Sequence, residues 1–224
     1  MKKHNVRVIN TPMVIDLITK LRDINTNSQL FRIYLNEISK LLIYEALSDV
    51  EMKANKVPTQ TGIDFEGETI GERIAFISIL RASLGMLSSA MEFFPEGEFH
   101  CLGMKRNEED PNNIEPNFYL DRLEEMSPKT NRVLVMDPML ATGGSMISAL
   151  KSVKEKHGFK GKIQVLSLIT AQPGAEAIYK KFPEVEIICA GLDEKLNEHA
   201  YIIPGLGDAG DRLFGINTDL TTIQ

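Results

Sequence analysis

Val133-Leu-Val-Met-Asp-Pro-Met-Leu-Ala-Thr-Gly-Gly-Ser145 decides how the rest of this chain is read. Four apolar residues ending in Asp137 read as a buried strand. Ala141 to Ser145 then turns the chain into a helical pattern that runs on to Lys154. A strand, a loop of small residues and a helix start are what a backbone phosphate cradle requires. The first helical turn has N–H groups without intrahelical acceptors, and small side chains let a phosphate approach them. Thr142 and Ser145 add hydroxyl donors, and Asp137 at the strand end is suited to sugar hydroxyls. Taken alone, the stretch also reads as an ordinary strand-to-helix turn capped by Ser145.

Working outward, apolar strands alternate with helices. Ile74–Leu80, Phe99–Met104, Arg132–Asp137, Ile163–Thr170 and Val185–Cys189 read as strands, and 84–94, 145–157 and 173–182 as helices. Near-continuous apolar strands separated by helices indicate an α/β protein with a mainly parallel central sheet covered on both faces. Before this region lie two helical stripes. One spans Met13–Asp23, opened by Thr11-Pro12, and the other runs from a cap at Ser28 to Asp49. Val57–Phe65 reads as a short β excursion between them and the sheet. Lys105–Pro128 is polar and reads as a long loop, a length associated with lids and binding elements.

At 224 residues the chain fits a single domain, 1–224. A net charge of −6 argues against the broad basic face that nucleic acid needs, while leaving room for a small anionic ligand. Cys101 and Cys189 lie far apart in apolar surroundings and read as buried thiols. His4, His100, His157 and His199 show no ligand-like spacing. No apolar segment has the length of a membrane span, and the basic N-terminus lacks a following apolar region, so the expectation is a cytoplasmic protein with no membrane partner.

Ligands of parallel sheets sit at the carboxyl ends of the strands. Besides Asp137, three such ends carry suggestive residues. Arg81 follows the first core strand in Ile79-Leu-Arg-Ala-Ser-Leu-Gly85, where a guanidinium fork suits a phosphate or diphosphate. Lys105 and Arg106 follow the next strand. Tyr201-Ile-Ile-Pro-Gly-Leu-Gly-Asp-Ala-Gly-Asp-Arg212 is glycine-rich, and such a loop can read a planar base through its backbone. Asp208 and Asp211 there have a metal, a sugar or an arginine within their chemistry. Each feature alone is commonly a solvated turn; four at successive strand ends point together to a ligand with several phosphates.

Jointly these residues resemble the uracil phosphoribosyltransferases, on the type I phosphoribosyltransferase fold. Asp137-Pro-Met-Leu-Ala-Thr-Gly-Gly-Ser145 is similar to that family's phosphoribosyl-diphosphate motif, and Tyr201–Arg212 to its uracil loop. Leu192–Glu198, Leu21-Arg-Asp23, Phe31-Arg32 and Leu42–Ala46 also match, so the resemblance covers about Pro12 to Gly215. It implies N-terminal helices and a β-arm, or hood, added to the sheet. The implied activity is that of a pentosyltransferase of pyrimidine salvage, making UMP and diphosphate from uracil and 5-phosphoribosyl 1-diphosphate.

The resemblance further assigns roles by residue. Ala141, Thr142, Gly143, Gly144 and Ser145 would hold the 5-phosphate, with Pro138, Met139 and Leu140 completing the segment and Asp137 on the ribose. Arg81 and Arg106 would bind the diphosphate. Ile202, Gly207, Asp208 and Ala209 would recognise uracil, and Asp208 would also face the phosphoribosyl diphosphate; Asp137, Arg81 and Asp208 form the implied catalytic set. Mg²⁺ is the implied cofactor, bound mainly through the diphosphate substrate rather than by protein side chains. A homodimer or dimer-based oligomer and a GTP effector are further implications. A non-catalytic, nucleotide-sensing regulator on the same fold is the alternative. Its best support is Ser83, where the family usually reads glycine in Arg-Ala-Gly: if that glycine serves for backbone angles closed to other residues, Ser83 distorts the diphosphate loop.

Overall fold

A computed structural model describes residues 5–105 and 117–216. Strand β1 (Val6–Val8) leads into helices α1 (Pro12–Arg22) and α2 (Ser28–Ala46). A hairpin of β2 (Met52–Pro58) and β3 (Asp64–Ile70) precedes β4 (Ile74–Leu80), α3 (Leu84–Phe93), β5 (Glu98–Lys105) and β6 (Asn117–Asp121). Next come β7 (Arg132–Met136), β8 (Met139–Leu140) and α4 (Gly144–Lys151), which continues into a π-helical turn at Ser152–Lys156. The last elements are β9 (Lys162–Ala171), α5 (Gln172–Lys181), β10 (Glu186–Asp193), the short strands β11 (Lys195–Leu196) and β12 (Ile202–Ile203), and α6 (Ala209–Phe214).

Among the described residues an eight-stranded sheet runs in the order β1-β10-β9-β7-β4-β5-β6, with β8 beside β9. Its pairings are parallel except that of β5 with β6. The continuous apolar strands have the cause assigned to them, burial on both faces. In β4, Ile74 and Phe76 enter one core while Ala75, Ile77 and Ile79 enter the other. In β7, Leu134 and Met136 face the first core and Val133 and Val135 the second. Side chains alternate with a period of two, so each strand must be largely apolar on both faces to serve both layers. The first core packs α1, α2, α3 and α6 on the sheet; the second packs α4 and α5.

Several boundaries differ from the sequence reading for local reasons. The cap of α2 is Asn27, whose side chain accepts the Leu30 N–H at 2.9 Å, so Ser28 is the first helical residue; the helix ends at Ala46, short of Asp49. The β excursion is a full hairpin, Met52–Ile70, whose exposed and largely polar residues hide its outer turns from a hydrophobicity pattern. Part of the polar 105–128 stretch is also ordered: β6 adds an antiparallel edge to β5, and Leu123–Glu125 forms a 3₁₀ turn that buries Leu123. Cys101 and Cys189 are unpaired, the first half-buried and the second buried. No helix among the described residues is long and apolar enough to cross a membrane.

Candidate active site

The strands β10, β9, β7, β4 and β5 are parallel neighbours, so their carboxyl ends share one edge of the sheet. That edge carries the segments after Asp193, Ala171, Met136 and Leu80. Adjacent strands lie about 4.8 Å apart, which brings Arg81 and Asp137, the residues that directly follow the neighbouring strands β4 and β7, within reach of one small ligand. Arg106 lies outside the described residues.

At the cradle, Gly143 is the N-cap of α4 with φ +85°, and Gly144, not Ser145, is the first helical residue. A side chain at Gly143 would be strained there, and its Cβ would come 3.1 Å from the Gly174 carbonyl oxygen. The loop is therefore pinned against the start of α5, and the first-turn N–H groups of α4 are presented at the strand edge. Thr142 is exposed and its Oγ1 accepts the Gly144 N–H weakly at 3.4 Å; Ala141, Gly144 and Ser145 are half-buried. Pro138 and Leu140 are buried and Met139 packs on the first core; the Pro138 carbonyl accepts the Leu168 and Ile169 N–H groups at 3.1 Å each.

Asp137 keeps part of its surface open, yet burial pushes its carboxyl from 3.8 up to about 7. The one compensating contact is the Met139 N–H, donated to Oδ1 at 3.3 Å, which pulls the other way. A carboxyl with so little protein solvation is suited to accept ligand hydroxyls.

Arg81 is exposed, has no ion pair with any described residue, and its guanidinium lies 5.9 Å from the centre of the Phe214 ring. The distortion expected from Ser83 does not occur. Its backbone has φ −81° and ψ 4°, angles open to any residue, and the side chain is fully buried. The Ser83 hydroxyl donates to the Ile79 carbonyl at 2.5 Å and so accepts from Ser78 Oγ at 2.6 Å. Here serine adds polar bonds that tie the loop to β4.

The glycine-rich loop begins at the β11–β12 hairpin and ends in α6. Ile202 and Ala209 are buried, Gly207 is half-buried and Asp208 is exposed. Asp208 acts as the cap of α6, its Oδ1 accepting the Asp211 N–H at 2.8 Å. A Cβ on Gly210 would lie 3.9 Å from the Ala82 Cβ, so the loop directly borders the Arg81–Ser83 segment.

What fixes this loop escaped the sequence reading. Arg22 of α1 holds Asp193 in a bidentate pair (2.8 and 2.7 Å) and donates to the Gly205 carbonyl at 2.8 Å. Asp193 in turn accepts the Gly205 N–H at 2.9 Å. Gly205 has φ +60°, and a Cβ there would meet the Ile202 carbonyl oxygen at 2.2 Å. Arg212 donates to the carbonyls of Leu21, Leu206, Asp23 and Thr26, with its guanidinium 4.5 Å from the Phe31 ring centre. Arg32 donates to the Leu213 carbonyl at 2.8 Å. The one available signal was arginine at Arg22 and Arg32 within apolar helical stripes, at positions noted above only as matches to a family.

A family model described as uracil phosphoribosyltransferase matches residues 8–216. A uracil phosphoribosyltransferase from Metamycoplasma hominis is 41% identical over 210 residues, covering 94% of this chain and 98% of the relative. Another from Dictyoglomus turgidum is 43% identical over 211 residues, 94% and 99% of the two chains. A solved structure of a protein from Aquifex aeolicus superposes with a TM-score of 0.84 at 37% identity, covering 94% of this chain and 98% of that one. The adenine phosphoribosyltransferase of Leishmania donovani shares the fold alone, with a TM-score of 0.52 at 13% identity and 89% and 88% coverage. With the matched model spanning nearly the whole chain and relatives of this identity over their full length, the chain belongs to the uracil phosphoribosyltransferase family.

Proposed function

We propose that this protein transfers the phosphoribosyl group of 5-phosphoribosyl 1-diphosphate to uracil, yielding UMP and diphosphate in pyrimidine salvage, and that residues 1–224 form one catalytic domain. The observation that carries the proposal is the juxtaposition, at one sheet edge, of a helix-start cradle, an arginine with no ion pair among the described residues and a base loop clamped by Arg22, Asp193 and Arg212. The bond from C1′ to the diphosphate oxygen breaks, a bond from C1′ to uracil nitrogen forms, and the proton of that nitrogen passes to solvent or to the departing diphosphate. The first turn of α4 with Thr142 and Ser145 would hold the 5-phosphate, Asp137 the ribose hydroxyls, and Arg81 with Arg106 the departing diphosphate. Charge accumulates on that diphosphate as it leaves, so cationic donors aimed at it favour the transition state over the ground state. Ile202, Gly207, Asp208 and Ala209 would align uracil, and alignment supplies much of such a barrier.

The site suits an Mg²⁺ held mainly by the substrate: Asp137 and Asp208 would offer it carboxylate oxygens, with one oxygen of each already accepting a backbone N–H. Bound with the substrate, the ion would neutralise diphosphate charge. Exposed Ile63 and Phe65 on the β2–β3 arm, 73% and 60% accessible, support a dimer in which a second copy covers the arm. The unpaired thiols of Cys101 and Cys189 support a cytoplasmic setting. Ser83, with its ordinary backbone, lends the regulator reading no support.

Diphosphate release measured with uracil, phosphoribosyl diphosphate and Mg²⁺ tests the proposal, with a panel of bases and with and without GTP. Turnover selective for uracil is expected; nucleotide binding without turnover, or a preference for a purine, would overturn it.

A further inference from the structure

Away from the sheet edge that carries the active site, Asp121, Glu124 and His157 bring three metal-capable atoms within 4.8 Å of one another. Nothing in the reaction above uses them. Asp121 ends β6, Glu124 lies in the 3₁₀ turn after it, and His157 follows the π-helical extension of α4. The two protein segments are distant in sequence and meet only in the fold, so the histidine spacing that excluded a metal site from sequence was blind to this cluster.

His157 is the decisive member. Its side chain is 11% exposed, and its Nε2 is shielded from solvent without any hydrogen-bond partner. A buried ring nitrogen left unpaired costs free energy unless something fills its lone pair or takes its proton. Nε2 lies 3.4 Å from Asp121 Oδ1 without forming a hydrogen bond to it. It is the right separation for two ligands of one ion, since a tetrahedral ion with bonds of about 2.1 Å keeps its ligand atoms about 3.4 Å apart.

Asp121 is already oriented for that task. Ser152 Oγ and Lys156 Nζ donate to its Oδ2 at 2.9 and 2.6 Å, and the Leu123 N–H reaches Oδ1 weakly at 3.3 Å. The oxygen facing His157 thus retains a lone pair, while its partner oxygen is held by outer donors of the kind that fix ligating carboxylates. Access exists from both sides. Asp121 borders one open cleft of about 310 Å³, and Glu124 and His157 border another of about 460 Å³.

We infer that Asp121, Glu124 and His157 form a binding site for a borderline divalent cation of the zinc or cobalt type, separate from the substrate-borne Mg²⁺. One imidazole nitrogen and two carboxylate oxygens, with room for water, favour such ions over the all-oxygen shell preferred by Mg²⁺. The ion would join the end of β6 to the end of the helix that starts at the phosphate cradle.

Co²⁺ titration of the full-length, substrate-free protein, followed by visible ligand-field absorption, tests the assignment. One Co²⁺ per chain is expected, displaced by Zn²⁺ and not by equimolar Mg²⁺. His157→Gln should weaken binding by at least about tenfold, since even outer-shell changes cost 10–100-fold. Glu124→Gln, at an exposed position that does not threaten folding, should weaken it too and remove part of the colour. No Co²⁺ spectrum, or the same affinity in both variants, would overturn the inference. A protonated His157 paired with Asp121 would give that negative result.

Discussion

Asp137→Asn is expected to stabilise the substrate-free protein above neutral pH while abolishing its use of phosphoribosyl diphosphate. Burial holds the folded carboxyl at about 7 against 3.8 in the unfolded chain. Below 3.8 both states carry the proton, and the group contributes no difference. Between 3.8 and about 7 the folded state keeps a proton that the unfolded state has lost, so stability falls as pH rises; above that range the full cost remains. The span from 3.8 to about 7 corresponds to about 4 kcal/mol. Solvent contact along the open part of Asp137 makes this a ceiling. Asparagine is neutral and of the same shape, and its carbonyl can accept the Met139 N–H as Oδ1 does. Urea unfolding of both proteins across this pH range provides the assay. The variant's advantage should be near zero at the acid end and grow toward pH 7. Saturating phosphoribosyl diphosphate with Mg²⁺ should reverse the order, because only the parent protein gains binding free energy from its ribose contact. A stability difference that stays flat with pH would refute the reasoning.

Three other substitutions test separate parts of the argument. Gly205→Ala forces a Cβ toward the Ile202 carbonyl at φ +60°; strain of about 1–3 kcal/mol should raise the KM for uracil about tenfold in steady-state kinetics, with phosphoribosyl diphosphate affinity unchanged. Ser83→Gly should lower stability by about 1–2 kcal/mol in urea unfolding, through two lost hydrogen bonds and a freer unfolded chain, without raising kcat; a higher kcat would mean that Ser83 does strain the diphosphate loop. Arg132→Met removes a guanidinium bidentate to Glu72 and bonded to Asp49, leaving a largely buried carboxylate unpaired at about 3–5 kcal/mol by the same method. Arg132 holds the Glu72 carboxyl below its usual 4.5, so this stabilisation is present above 4.5 and is lost as pH falls, and the gap between parent and variant should narrow in acid.

These tests separate two kinds of information in the chain. The core strands were legible because two-sided burial makes β4, apart from Ser78, and β7, after Arg132, continuously apolar, a signal contained within seven and five residues respectively. The cradle was legible for a similar reason: a strand, small residues and a helix start must be contiguous to work at all. The β2–β3 hairpin and β6 were obscured because their residues are exposed or lie on a sheet edge, where a period-two apolar pattern is not required. The clamp on the base loop was hidden by distance. Arg22 and Asp193 are 171 positions apart, and neither residue type nor local spacing says that they meet. That division has a physical origin. A loop can be recognised by the residues that would touch a ligand, but its rigidity comes from groups that touch only the loop. Asp208 illustrates the consequence: read from sequence as a ligand for sugar, metal or arginine, it spends one oxygen capping α6. Its neighbours in the loop owe their position to Arg22, Arg32 and Arg212, which reach backbone carbonyls. Since backbone carbonyls are present at every residue, each of these contacts leaves its sequence signature only at the arginine end.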